Sequence, residues 1–270
     1  MALVHVGSRE YKIMLKAGRF AGDEAKLLRA AQQFWRDGVK AFGPAVLFTA
    51  GNLDQVKSQR LIRFYDTSSQ HLNRNAYIFR ERAALDGKTR EVTLKFRHPD
   101  RYIAADRDMS AENGKAKTKF EEDIKPAFQQ LYSFSTTQLI LPDRKIGRIK
   151  DVLKLYPGLR NSMTGFTDDE ALAIVDGFTA REVVIGGAAM QLGKKHNVSS
   201  GCVLVIWYDQ DGHAETPVVA EFSFKYGDNG ETYGGGTVRR AYEMFQLLQT
   251  RLGEWTDKDS MTKTAFVYGG

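Results

Sequence analysis

The chain has 270 residues with a formal net charge of +6, 42% hydrophobic and 27% charged. That is enough apolar material for one large core, so residues 1–270 read as a single domain, and the charge is too modest to demand a polyanion. The single cysteine, Cys202, excludes an internal disulfide framework or a thiolate metal cluster, and no run of 18 apolar residues occurs.

In chain order, Met1 to Gly7 lacks the basic and apolar parts of a secretory signal, so the expectation is a cytoplasmic protein without a membrane span. Glu10 to Lys16 alternates as a strand, with Tyr11, Ile13 and Leu15 on one face and Glu10, Lys12, Met14 and Lys16 on the other. Gly22 to Trp35 spaces Leu27, Leu28, Ala31, Phe34 and Trp35 as a helix, with Asp23 and Glu24 at its start. Phe42 to Gln55 reads as a loop with a short apolar piece.

Three strand-like runs follow: Arg60 to Thr67, Ala76 to Arg82 and Glu91 to Arg97, each expected to carry its bases on a single parity. Asp86-Gly87 between the second and third is a hairpin signal. Asp106 to Lys117 reads as a connection. Thr118 to Ile124 alternates again, with Lys119, Glu121 and Asp123 together on one face. Phe128 to Phe178 reads as mainly helical or irregular. Within it, Ile146 to Tyr156 has helical spacing, and Thr167 to Glu170 resembles a helix start ahead of Ala171 to Val175.

Strand signals return at Glu182 to Ile185, Cys202 to Tyr208 and Val218 to Tyr226, the last with Val219, Glu221, Ser223 and Lys225 on one face. Val238 to Leu252 suits a helix. Gly230 to Gly236 matches neither a dinucleotide fingerprint nor a P-loop. The five histidines are scattered without ligand spacing, and Trp35, Trp207 and Trp255 read as packing residues.

Strands at Glu10, Lys95, Glu121 and Glu221 thus each set charges against apolar residues. An open antiparallel sheet would leave such charged faces in water. Here both signs recur at i, i+2 spacing and several apolar-striped helices need a surface to cover. A curled sheet with helices outside turns the charged faces into a lumen. Cations there suit a phosphate chain, and carboxylates suit a divalent ion bridging its oxygens.

These motifs resemble the CYTH superfamily of triphosphate tunnel metalloenzymes. The resemblance rests on Tyr65-Asp66-Thr67 with Leu72-Asn73-Arg74, Phe79-Arg80-Glu81-Arg82, Val92 to Arg97, Lys119 to Asp123, and Val219 to Ser223. It implies an α+β fold: an eight-stranded antiparallel tunnel with helices outside. It implies that Lys12, Arg80, Arg82, Lys95, Arg97 and Lys119 bind phosphate, that Glu10, Glu121, Asp123 and Glu221 hold Mg²⁺ or Mn²⁺, and that the partner is a phosphate-chain small molecule; the catalytic group is unassigned. The implied activity is metal-dependent hydrolysis of a triphosphate-containing substrate, the alternative a non-catalytic triphosphate or polyphosphate binder.

The sequence departs from the family's first-strand Glu-x-Glu-x-Lys, offering Glu10, Lys12 and Met14, and Ser223 stands where an acid is common. A two-residue slip would make Lys16 the signature lysine while keeping its face. Nucleic acid has only the net charge in its favour, without the basic-aromatic interleaving of known modules.

Overall fold

The structure, a computed structural model, describes residues 4–194, 198–212, 215–227, 231 and 233–269. His196, His213 and part of the 230–236 glycine stretch lie outside the described residues, as does part of the Met1 to Gly7 start. Ten strands form one sheet: β1 (Ser8–Leu15), β2 (Phe48–Ala50), β3 (Gln55–Asp66), β4 (Tyr77–Ala84), β5 (Arg90–His98), β6 (Lys117–Lys125), β7 (Gln129–Ile140), β8 (Ala173–Gln191), β9 (Ser199–Asp209) and β10 (Pro217–Tyr226). Their order is β2-β8-β3-β4-β5-β7-β6-β1-β10-β9, and β9 also pairs with β8. Nine strands therefore close into a barrel, and β2 attaches to β8 outside it.

Two expectations are corrected. The barrel has nine strands rather than eight, and it is mixed: β1 runs parallel to β6, pairing Ser8 with Glu121 and Glu10 with Asp123. A parallel pair needs a long crossover, which the hundred or so residues between these strands supply.

The expected helical or irregular stretch 128–178 is corrected as well, since it holds all of β7 and the start of β8. Ser133, Ser135 and Thr137 alternate there with Tyr132, Phe134 and Thr136, so the polar side carries no charge and the period of two is easily overlooked. Thr167 to Glu170 starts no helix. Its carbonyls instead accept the first amides of α4 (Ile149–Leu155): Ile149 N–H donates to Glu170 and Lys150 N–H to Asp168. Ala173 onward is drawn into β8 by pairing with Asp66 and Tyr65 of β3.

The apolar strand faces point outward, beneath helices. α1 (Glu24–Phe42), capped where Asp23 accepts the Lys26 amide, runs past the expected end at Trp35 because Ala41 and Phe42 also find buried places. With α6 (Gly235–Arg251) it covers Tyr11, Ile13, Leu204, Phe222 and Phe224. α4, α5 (Leu159–Ser162) and Tyr156 cover Phe79, Val92, Leu94 and Phe96. Cys202 is buried in the first of these layers, where burial raises its thiol and leaves it inert.

Among the described residues, the short helix α2 (His71–Arg74) joins the paired strands β3 and β4, and α3 (Arg101–Ala105) follows β5 on the way to β6. Asp66 sets the first, its carboxylate accepting the amides of Thr67, Leu72 and Asn73, which accounts for the Tyr65-Asp66-Thr67 motif. Phe222 is fully buried with its ring 5.1 Å from that of Phe34. Phe222→Ala is expected to cost about 3–5 kcal/mol in urea unfolding through the cavity it leaves between barrel and α1.

Candidate anion-binding site

Because apolar residues face out, the alternate set faces in, enclosing a cavity of about 1100 Å³. Among the described residues, twelve lysines and arginines and seven carboxylates line it, so it is strongly cationic. All ten side chains singled out from sequence reach this one space: Lys12, Arg80, Arg82, Lys95, Arg97 and Lys119 with Glu10, Glu121, Asp123 and Glu221. Lys119 is exposed at the rim. Lys16 is not among them. It follows the end of β1 and donates to the Gly253 carbonyl in an exposed position, so the lumen lysine of the first strand is Lys12.

Single parity fails in the first basic run. Arg60 enters the lumen, while Arg63 turns outward to fully buried Glu81, 2.8 Å away, which Arg90 also binds. Glu81, between two lumen arginines, therefore ties strands together on the outer face.

Most lumen charges are internally matched. Arg60 meets Glu182 at 2.6 Å, Arg82 meets Glu91 at 3.3 Å, and Lys263 meets Glu221 at 2.8 Å. Lys12 Nζ lies 2.9 Å from Glu10 and 2.8 Å from Asp123. Burial would raise the Asp123 carboxyl, but Lys12, Lys95 and Arg97 outweigh it and hold it well below the usual carboxylate range. At Glu182 burial is likewise outweighed, by Lys263, Arg60 and Arg82 and by the Trp207 indole N–H, giving about 2.

Six lumen bases have no ion pair within 4 Å among the described residues: Lys117, Lys119 and Lys258 are exposed, Lys125 is half-buried, and Arg80 and Lys95 lie deepest. Among the described residues, Arg80 and Lys95 make neither a side-chain hydrogen bond nor an ion pair within 4 Å, and Arg80 Nε is buried without a partner. Arg80 pairs with Thr93 across β4 and β5, so Lys95, two residues on, is its diagonal neighbour on the lumen face. Burial, reinforced by Arg97 and Lys12 against Asp123 and Glu121, pushes Lys95 down to about 7. Burial and Arg82 push Arg80 down to about 9, although a guanidinium remains charged at neutral pH.

The carboxylates do not fit a divalent-metal site as they are arranged. Among the described residues, no group of three or more His, Cys, Asp and Glu side chains stands together as a donor set. Each of the four expected ligands already has a cationic neighbour: Lys12 for Glu10 and Asp123, Lys263 for Glu221, and Lys225 at 3.7 Å for Glu121.

Several lining residues escaped the sequence reading. Glu182 and Val184 alternate with outward Val183 and Ile185, so the parity of that run was a usable signal. Lys263 had none, because the chain returns to the barrel through α7 (Lys263–Val267). There Val267 packs with inward Met14, Ile62, Phe64 and Ile78, Phe266 meets Phe178, and Arg97 donates to Thr264 at 3.0 Å. This seals part of the lumen with an apolar cluster that includes the thioether of Met14.

The fold and site define a closed β tunnel with a cationic interior. Among solved structures, the chain is similar to an adenylyl cyclase candidate from Hippeastrum described as having a dominant triphosphatase activity, at 12% identity over 96% of this chain and 95% of that one, TM-score 0.45. It is also similar to adenylate cyclase candidates from Bacillus halodurans (11%, 97% and 100% covered, TM-score 0.43) and Vibrio parahaemolyticus (9%, 98% and 99%, TM-score 0.38). The barrel itself rests on the strand pairings above. No family model matches the chain, and no curated protein does. Among the described residues no helix is long and apolar enough to cross a membrane.

Proposed function

We propose that the protein binds a phosphate-chain anion of the triphosphate class inside its tunnel. The observation that carries this reading is the pair Arg80 and Lys95, diagonal neighbours on the lumen wall with no carboxylate within 4 Å of either among the described residues. Uncompensated buried cations are costly, and an anion carrying several oxygens would satisfy both at once. The lumen is large enough for more than a single phosphate. Arg82 and Arg97, on the same two strands, and Lys119 on β6 extend the cationic wall. Binding is favoured over hydrolysis because the carboxylates that metal-assisted chemistry would use are held by lysines.

Calorimetric titration with inorganic tripolyphosphate tests this. A dissociation constant below about 100 μM at low salt, rising with ionic strength, is expected. Failure to bind at millimolar concentration counts against the proposal. Phosphate release with Mg²⁺ or Mn²⁺ would instead favour the hydrolase.

The Lys95 environment adds a pH signature. A bound anion favours the charged ammonium that burial disfavours, so binding at pH 8 should take up a proton and the affinity should fall as pH rises above about 7. Titrations in two buffers of different ionisation enthalpy measure that uptake. In Lys95→Met the lysine's share of it should vanish, leaving only protons exchanged by the phosphate itself.

A further inference from the structure

We propose that the Lys12 ammonium is a tethered cation standing in for a divalent metal, so that this lumen takes its phosphate chain without one. The inference rests on the anion-binding reading and specifies its chemistry. Glu10 and Asp123 are register partners on the parallel strands β1 and β6, so backbone pairing itself sets two carboxylates side by side. Two such groups in an enclosed space repel unless a cation lies between them. In a metal site a magnesium ion, held by one or two acids, water and phosphate oxygens, would do this. Here Lys12 Nζ does it, at 2.9 and 2.8 Å from the two carboxylates.

The surroundings make displacement of Lys12 unfavourable. The second Asp123 oxygen is already engaged, accepting from Ser133 Oγ at 2.7 Å with Arg97 Nε at 3.8 Å. The other two acids cannot readily join, since Glu221 holds Lys263 at 2.8 Å and Glu121 accepts from Ser8 Oγ at 3.1 Å. An incoming dication would also enter a wall already rich in positive charge. An ammonium has three donors; two go to the carboxylates and one remains for an anion in the cavity that Lys12 lines. Ser223, its register partner on β10, is neutral and adds no competing acid. The carboxylates thus orient Lys12 toward the lumen rather than recruiting a metal.

The test uses the full chain, with Mn²⁺ alone and with tripolyphosphate in the presence of either EDTA or free Mg²⁺. The wild type is expected to take up no Mn²⁺ at millimolar concentration, read by the electron paramagnetic resonance of the free ion. Its affinity for uncomplexed tripolyphosphate should agree within about threefold between EDTA and Mg²⁺. Lys12→Gln and Lys12→Glu, which leave the acid pair without its ammonium, are expected to gain Mn²⁺ binding by at least about tenfold.

Stoichiometric Mn²⁺ uptake by the wild type, or loss of its tripolyphosphate binding in EDTA, overturns the proposal. So does indifference of both folded variants to Mn²⁺. If tripolyphosphate binds under neither condition, the anion reading fails; the Mn²⁺ arm then still decides whether Lys12 occupies the place of a metal. Should neither variant fold, the two wild-type measurements decide.

Discussion

Replacing Arg80 and Lys95 together by methionine is expected to weaken tripolyphosphate binding by at least about a hundredfold, each lost charge-assisted contact costing about 1.5–3 kcal/mol. The same double variant should leave the ligand-free protein more stable in urea. Among the described residues neither base has an acid within 4 Å, and for both the burial cost outweighs the more distant carboxylates, so each is held in the folded state against its loss of hydration. Opposite signs for binding and stability mark residues kept for a ligand rather than for the fold. A variant that lost both together would show that the pair merely holds the barrel up, and the proposed anion would go with it.

Lys12→Met is expected to destabilise the barrel by about 3–5 kcal/mol at pH 7, because it leaves Glu10 and Asp123 adjacent and deprived of their shared partner. The pH dependence gives the mechanism. In the wild type, burial acts to raise Glu10, but Lys12 opposes it strongly and the carboxyl ends below its ordinary value. Its contribution to stability is therefore present above the unfolded value near 4 and lost only as the pH falls through the lower folded value. Without Lys12, burial and Asp123 both act to raise Glu10. The deficit of the variant should then be greatest at neutral pH and shrink as the pH falls through the carboxylate range and Glu10 protonates. Urea unfolding at pH 7 and pH 4.5 measures this, and a deficit equal at the two values would assign the loss to side-chain packing instead.

How far the site was legible depended on contrast between alternating positions. β1, β4, β5, β6 and β10 set charge against aromatic or aliphatic residues, so Glu10, Lys12, Arg80, Lys95, Glu121 and Glu221 could be grouped before any pairing was known. β7 was missed because serine and threonine fill its inward positions, and those residues suit a loop as readily as a strand. Most of β8 was missed because register shifts and glycines interrupt its period along the 19 residues from Ala173 to Gln191. Arg63 lies three residues from Arg60, an odd spacing that puts the two on opposite faces of a regular strand, and on the outer face it meets the buried acid Glu81.

The sequence by itself determined which residues share a strand face, because side-chain direction along a strand is a local property with a period of two. It determined too that the helices carry apolar stripes in need of a surface. Only the tertiary structure decided that nine strands close, that β1 lies parallel to β6, and that Lys12 therefore falls between Glu10 and Asp123. Those outcomes depend on pairings between segments a hundred or more residues apart, and on a chain end that returns through Lys263 to Glu221. The energy of such contacts arises only when the distant partners meet, so no local pattern records it.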